Sequence, residues 1–299
     1  MAASTGEFRQ RGARRRWRRA VQGALLSAAL GCVTPAWAGN DIFFVTYNHN
    51  IEPRETELMV MTDVAKPADA AEGGTYLAHM IELERGLTER WATEVMIEGY
   101  VDPGRGTSKF TGFRWENRYR LRKGRSLVPV LYAEYEDLDP ATRFKMELSG
   151  REDGKGEPSG LEGRRERILE TRLVLSQDFG AYNVALNWIN ETDLRRGAGG
   201  FTDFGYALGV RRALGQHRHG SDAQAGPPSG WRPTAVGLEL YGGVGNSRAF
   251  GGPFKAQQHY VQPVVMFHPA HNVMLHVGVA VGLTSVSDTL VRTSLGFGF

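Results

Sequence analysis

The end of the chain alternates strictly. Val291, Thr293, Leu295, Phe297 and Phe299 fall on one face, and Arg292, Ser294, Gly296 and Gly298 fall on the other. A period of two is the period of a β-strand, whose successive side chains point to opposite sides of a sheet. Similar alternation recurs upstream and predicts strands near 56–65, 74–86, 90–102, 108–122, 126–138, 166–178, 182–194, 203–214, 232–243, 257–268, 272–283 and 289–299. Each has about the 9–11 residues that a tilted membrane-crossing strand needs, or slightly more.

The two faces differ in kind. In 90–102, Trp91, Val95, Ile97 and Val101 share one side, with Glu94, Glu98 and Tyr100 opposite. In 108–122, Phe113, Trp115, Tyr119 and Leu121 oppose Arg114, Glu116, Arg118 and Arg120. In 272–283 a face of Val273, Leu275, Val277, Val279, Val281 and Leu283 opposes His276 and small residues. A soluble sandwich needs a second apolar layer, which the repeated charged faces do not supply. Apolar side chains turned to lipid and charges turned inward do fit one closed sheet. Trp91, Tyr119, Tyr182, Trp188, Tyr260, Phe297 and Phe299 fall near strand ends, where interfacial girdles are expected.

Connection lengths support closure. Short turns at 86–89, 123–126, 179–182 and 268–272 alternate with longer loops at 66–73, 103–107, 139–165, 195–202, 244–256 and 284–288. The connection 215–231 breaks the rule, being long and rich in Gly and Pro, and is read as a disordered insertion. The prediction is an all-β fold: a single antiparallel transmembrane β-barrel of about 12 strands with both termini periplasmic. The final strand, ending on Phe299, is expected to close against the first and to be the segment that barrel-assembly machinery engages.

Composition alters this picture at the N-terminus. Arg14, Arg15, Arg16, Arg18 and Arg19 precede the apolar run AVQGALLSAALGCV, and Ala36-Trp37-Ala38 follows as a cleavage site. This is the layout of a secretory signal, so 1–38 is read as a cleaved segment and 39–55 as a periplasmic lead-in. The whole chain has 36 basic and 33 acidic residues; without the seven Arg and one Glu of 1–38 these become 29 and 32, a net charge of −3. Nucleic-acid binding therefore loses its support. The sole cysteine, Cys32, lies in the signal, so no disulfide is expected. A mean hydropathy of −0.35 looks soluble, but a barrel gives that average because each lipid-facing residue alternates with an inward one.

The inward set supplies the candidate chemistry: Glu82, Glu84, Glu94, Glu98, Arg114, Glu116, Arg118, Arg120, Glu134, Glu136, Glu170, Arg172, Glu191, Arg211, Glu239 and Arg292. Arginines at 114–120 lie between acidic stretches at 82–98 and 134–136, so opposite charges can pair across strands. Such rows can orient a small solute in a pore, and they can equally fill and plug a narrow barrel. His217 and His219 have metal-ligand spacing but no third ligand nearby, and are read as part of a solvated loop. His276 and Ser294 stand near-opposed on the last hairpin, with no aligned carboxylate or amide to complete a hydrolytic triad. No catalytic residue, metal or cofactor is assigned.

The turn GLTERW (86–91), the hairpin ETRLVLSQDFGAYNVALNWINE (170–191) and the ending HNVMLHVGVAVGLTSVSDTLVRTSLGFGF (271–299) resemble a bacterial outer-membrane barrel family. That family is related to the MetA-pathway of phenol degradation group. The resemblance implies a barrel that passes small, hydrophobic molecules and carries over no functional residue; the insertions at 150–165 and 215–231 depart from it. The expected function is passive or facilitated transport of a small solute across a Gram-negative outer membrane, with outer-membrane lipid as partner. The alternatives are a plugged structural or adhesive barrel and, behind it, a lipid-modifying enzyme.

Overall fold

The computed structural model describes residues 42–69, 73–124, 126–146, 148–214 and 230–299. The predicted signal, Cys32 and the His217/His219 pair lie outside the described residues, as does most of the 215–231 insertion. The strands are β1 (Thr56–Lys66), β2 (Tyr76–Gly86), β3 (Trp91–Asp102), β4 (Thr107–Arg120), β5 (Val128–Leu138), β6 (Glu166–Phe179), β7 (Tyr182–Asp193), β8 (Thr202–Ala213), β9 (Gly230–Asn246), β10 (Ala249–Phe250), β11 (His259–Ala270), β12 (Val273–Gly282) and β13 (Thr289–Gly298).

All are antiparallel to their neighbours. β10 is a two-residue return on the end of β9, and β9 pairs onward with β11. β13 pairs with β1 from Glu57↔Gly298 to Lys66↔Thr289, which closes the twelve long strands into a barrel. Thr56 and Phe299 exchange backbone hydrogen bonds of 3.1 and 2.8 Å at the seam. The expected strands are found within a few residues. The largest difference is β9, which runs to Asn246 because its hairpin with β10 continues the ladder past the predicted end.

The outward face carries Val60, Ile81, Val95, Phe113, Trp115, Leu131, Leu173, Leu186, Leu208, Leu238, Val279 and Leu295, all exposed. Charged outward residues, among them Lys66, Arg85, Arg167 and Arg212, fall toward strand ends. That leaves an apolar belt around the middle, where a charge would be costly in lipid. Tyr260 is a correction to the expected girdle: it points inward, fully buried, and stacks on Tyr241 at 5.3 Å.

The second correction concerns the lead-in. The 39–55 segment, expected to be a periplasmic lead-in, is buried from Ile42 to His49, and Ile51 with it, among inward-facing side chains of the barrel. It pairs with no strand. Gly209 on β8 shows why it fits: a Cβ there would stand 2.7 Å from the Phe43 ring, so the missing side chain is the seat of the phenylalanine. From the other mouth, part of the 139–165 loop folds inward and buries Phe144 and Met146.

Leu186 lies on the outward face in the middle of β7. Leu186→Arg is expected to cost roughly 2–4 kcal/mol in urea unfolding from lipid vesicles. Lys66→Ser, at the end of β1, should leave the unfolding midpoint almost unmoved.

Candidate functional site

Strand register organises the interior. Glu57 on β1 stands directly opposite Glu84 on β2, which stands opposite Glu94 on β3, and Glu94 opposite Glu116 on β4. Glu116 faces Glu134 on β5, Glu134 faces Glu170 on β6, Glu170 faces Glu191 on β7, and Glu191 faces Asp203 on β8. Eight consecutive strands thus place a carboxylate in one unbroken row, with neighbouring strands about 4.8 Å apart. Glu57 is the second residue of β1 and Asp203 the second of β8, and these strands run in opposite directions. The row therefore climbs from the mouth that holds both ends of the barrel sheet to the mouth that holds the longer loops.

Like charges set directly opposite repel. Arginines answer most of the row. Arg118 pairs with Glu84 at 2.5 Å and Glu116 at 2.7 Å. Arg114 reaches Glu98 at 3.0 Å, Glu134 at 3.2 Å and Glu136 at 3.4 Å. Arg172 pairs with Glu170. Glu134, Glu136 and Glu170 bring oxygens within 4.8 Å of one another, close enough for a metal ion, but guanidinium groups already sit at that cluster. Higher in the barrel Arg292 binds Asp63 at 2.8 Å.

Of the sixteen residues taken from the pattern, all are buried except Arg120 and Glu191, which are half-buried. Glu84, Glu94, Glu116, Glu134, Glu170 and Glu191 fall in the row; Glu82, Glu98 and Glu136 flank it. Arg211 stands toward the far end of β8 from Asp203, Arg292 stands on β13 outside the row, and Glu239 serves a different purpose. Glu57, Asp63 and Asp203 were missed. Their alternation and the charge content of their strands match those of the others, so the same inward-facing signal could have found them.

The inserted N-terminal segment is held by side chains rather than by a ladder. The N–H groups of Phe44, Val45 and Thr46 all donate to the Glu239 carboxylate, at 3.1, 2.9 and 2.8 Å. Tyr47 N–H donates to Asn187 Oδ1, and Asn187 Nδ2 donates back to the Tyr47 carbonyl, both at 2.8 Å. Arg172 donates to the Val45 carbonyl at 2.7 Å and Arg120 to the His49 carbonyl at 3.3 Å. The Tyr47 ring lies 5.0 Å from the Arg118 guanidinium and 4.8 Å from that of Arg172, and its hydroxyl donates to Glu116 at 2.5 Å. The stopper thus touches the middle of the carboxylate row. At the other mouth Arg143 stacks over Tyr76 at 4.8 Å and pairs with Asp102 at 3.6 Å, while Lys145 pairs with Asp288 at 2.5 Å.

His276 and Ser294 are paired directly across β12 and β13. Among the described residues Ser294 Oγ has no hydrogen-bond partner, so the nucleophile–base contact between this pair that hydrolysis requires is not formed.

No protein-family model matches the chain, and no curated protein matches it. Among solved structures, the NanC porin aligns over 80% of this chain and 98% of its own, at 10% identity and a TM-score of 0.51. An outer membrane channel from Pseudomonas putida F1 aligns over 88% of this chain and 100% of its own, at 11% identity and a TM-score of 0.50. What is shared at such identities is the architecture, the closed antiparallel barrel of porin-like outer-membrane proteins.

Arg118→Met would strand Glu84 and Glu116 without their counter-charge. It is expected to destabilise the barrel by roughly 3–5 kcal/mol, read from urea unfolding in vesicles. Adding Glu116→Gln to that variant should recover part of the loss.

Proposed function

We propose that the chain is an outer-membrane channel for a small solute, with its charged interior as the path and residues 42–51 as a displaceable stopper. One observation carries this reading: the barrel ladder is complete without the stopper, whose hydrogen bonds come mainly from lumen side chains. Removing it breaks no strand pairing. The apolar belt supports residence in lipid, and the turn and hairpin phrases at 86–91, 170–191 and 271–299 support the finer placement among barrels related to the MetA-pathway group. The row of carboxylates with interleaved arginines gives a polar solute continuous partners from mouth to mouth.

A second reading rests on the closure seen at both mouths: a permanently filled structural barrel. Planar-bilayer conductance separates the two. The wild-type chain is expected to be mostly silent, with rare openings. Glu239→Ala combined with Asn187→Ala should loosen the stopper by on the order of 3 kcal/mol, which raises its displaced population by about two orders of magnitude. Discrete steps should then become frequent, and Arg120→Ser in that background should shift ion selectivity toward cations. A folded but silent double variant would favour the filled barrel.

A further inference from the structure

At the end of the carboxylate row nearest the chain termini, acids outnumber their counter-charges. A small pocket there has Glu57, Glu84 and Glu94 abreast at one end, with Glu82 beside them. Glu57 is only 2% exposed, and among the described residues neither of its carboxylate oxygens has a hydrogen-bond partner. Glu82 is buried too, and its Oε1 is in the same condition. Arg118 is taken up by Glu84 and Glu116. Strand register sets the rest of the wall. Met59 follows Glu57 on the inner face of β1 and stands opposite Glu82; Met61 follows in turn, opposite Ser294, which stands opposite His276. Gly296 on β13, opposite Met59, leaves room, since a Cβ there would stand 2.5 Å from Glu57 Oε1. Phe43 and Phe44 supply the wall on the stopper side, and the Phe44 ring meets His276 edge-on at 6.2 Å.

A buried carboxylate without a partner is costly and calls for a counter-charge from outside the chain. We propose that this pocket binds a small primary alkylammonium ion, which makes short amines the solute class of the path. Among the described residues these acids do not gather three oxygens as closely as a metal ion needs, which leaves the site to hydrogen-bonding cations. An ammonium group offers three N–H donors, and the orphaned oxygens of Glu57 and Glu82 accept them. The alkyl body then lies along Met59 and Met61, whose flexible thioethers mould to an irregular chain, with the Phe44 ring to attract the cation. A hydrated alkali ion leaves that apolar wall unused, and a quaternary ammonium has no N–H to give. With the stopper docked the free space holds about one water molecule, so the alkyl body enters only as Phe44 gives way. Amine and stopper thus compete for one wall. The consequence for transport rests on the channel reading above, whereas the site itself rests on the pocket.

The test uses the full barrel folded in zwitterionic vesicles, titrated calorimetrically with propylammonium chloride and, at matched ionic strength, with tetramethylammonium chloride and sodium chloride. Phe44→Ala removes the ring that fills the pocket and keeps the backbone N–H that binds Glu239. Expected in that variant is one saturable propylammonium site per chain, tighter than in the wild type, with no saturable site for the other two cations. Adding Glu57→Gln should weaken propylammonium binding by about tenfold or more, the loss of one charge-assisted hydrogen bond. Should that variant not fold, Glu82→Gln is read in the same way. No saturable binding to the Phe44→Ala barrel, or binding unmoved by both glutamate substitutions, overturns the site. Conductance of the Glu239→Ala/Asn187→Ala barrel is read separately. There propylammonium should permeate in preference to propionate, and the reverse preference overturns amines as the solute class. A silent barrel that still binds propylammonium keeps the site and loses the channel.

Discussion

Carboxylates placed in register across eight neighbouring strands repel one another, and a closed sheet gives them no way to turn outward. That constraint shapes the interior. It explains why Arg114, Arg118 and Arg172 project inward from β4 and β6, at most two strands from the acids they serve. It also explains why Tyr47 seats where it does, its ring between two guanidinium groups and its hydroxyl on Glu116. The aromatic ring is attracted to the cations, the hydroxyl supplies a hydrogen bond to the anion, and the segment closes the lumen without adding charge.

The outer surface obeys a simpler rule, and the contrast separates stability from function. Any apolar side chain of suitable size satisfies lipid, so Val, Leu, Ile, Phe and Trp interchange freely around the belt. The interior is specific because each polar group needs a partner of defined chemistry. Glu239 illustrates this on β9: it lies apart from the arginine clusters and receives three consecutive backbone N–H groups of the stopper instead. A residue that looks like one more inward acid is there the anchor of a different segment.

Strands, facing and closure were legible in the sequence because a period of two survives averaging over 10 residues or more, as in β12 with its valine face against His276. Leu186→Arg tests that part of the reading. Register was not legible. A shift of one residue moves a side chain to the opposite face, and a shift of two slides it along the same face, so the pattern constrains orientation but not which glutamate meets which. The unbroken row from Glu57 to Asp203 therefore emerged only from the paired strands. The stopper was missed for another reason. Ile42 to Asn50 has no period, and its partners, among them Asn187 and Glu239, lie far along the chain. Local pattern carries no information about contacts of that span.

The stopper's anchors also impose an order in time. Phe44, Val45 and Thr46 bind a carboxylate 193 to 195 residues further along the chain, and Tyr47 binds one amide 140 residues away. A segment near the start of the described chain is thus among the last that can dock, since its receptors come together only once β7 and β9 flank β8. The filling of the lumen therefore depends on the sheet around it, whereas the strand ladder makes no use of the filling.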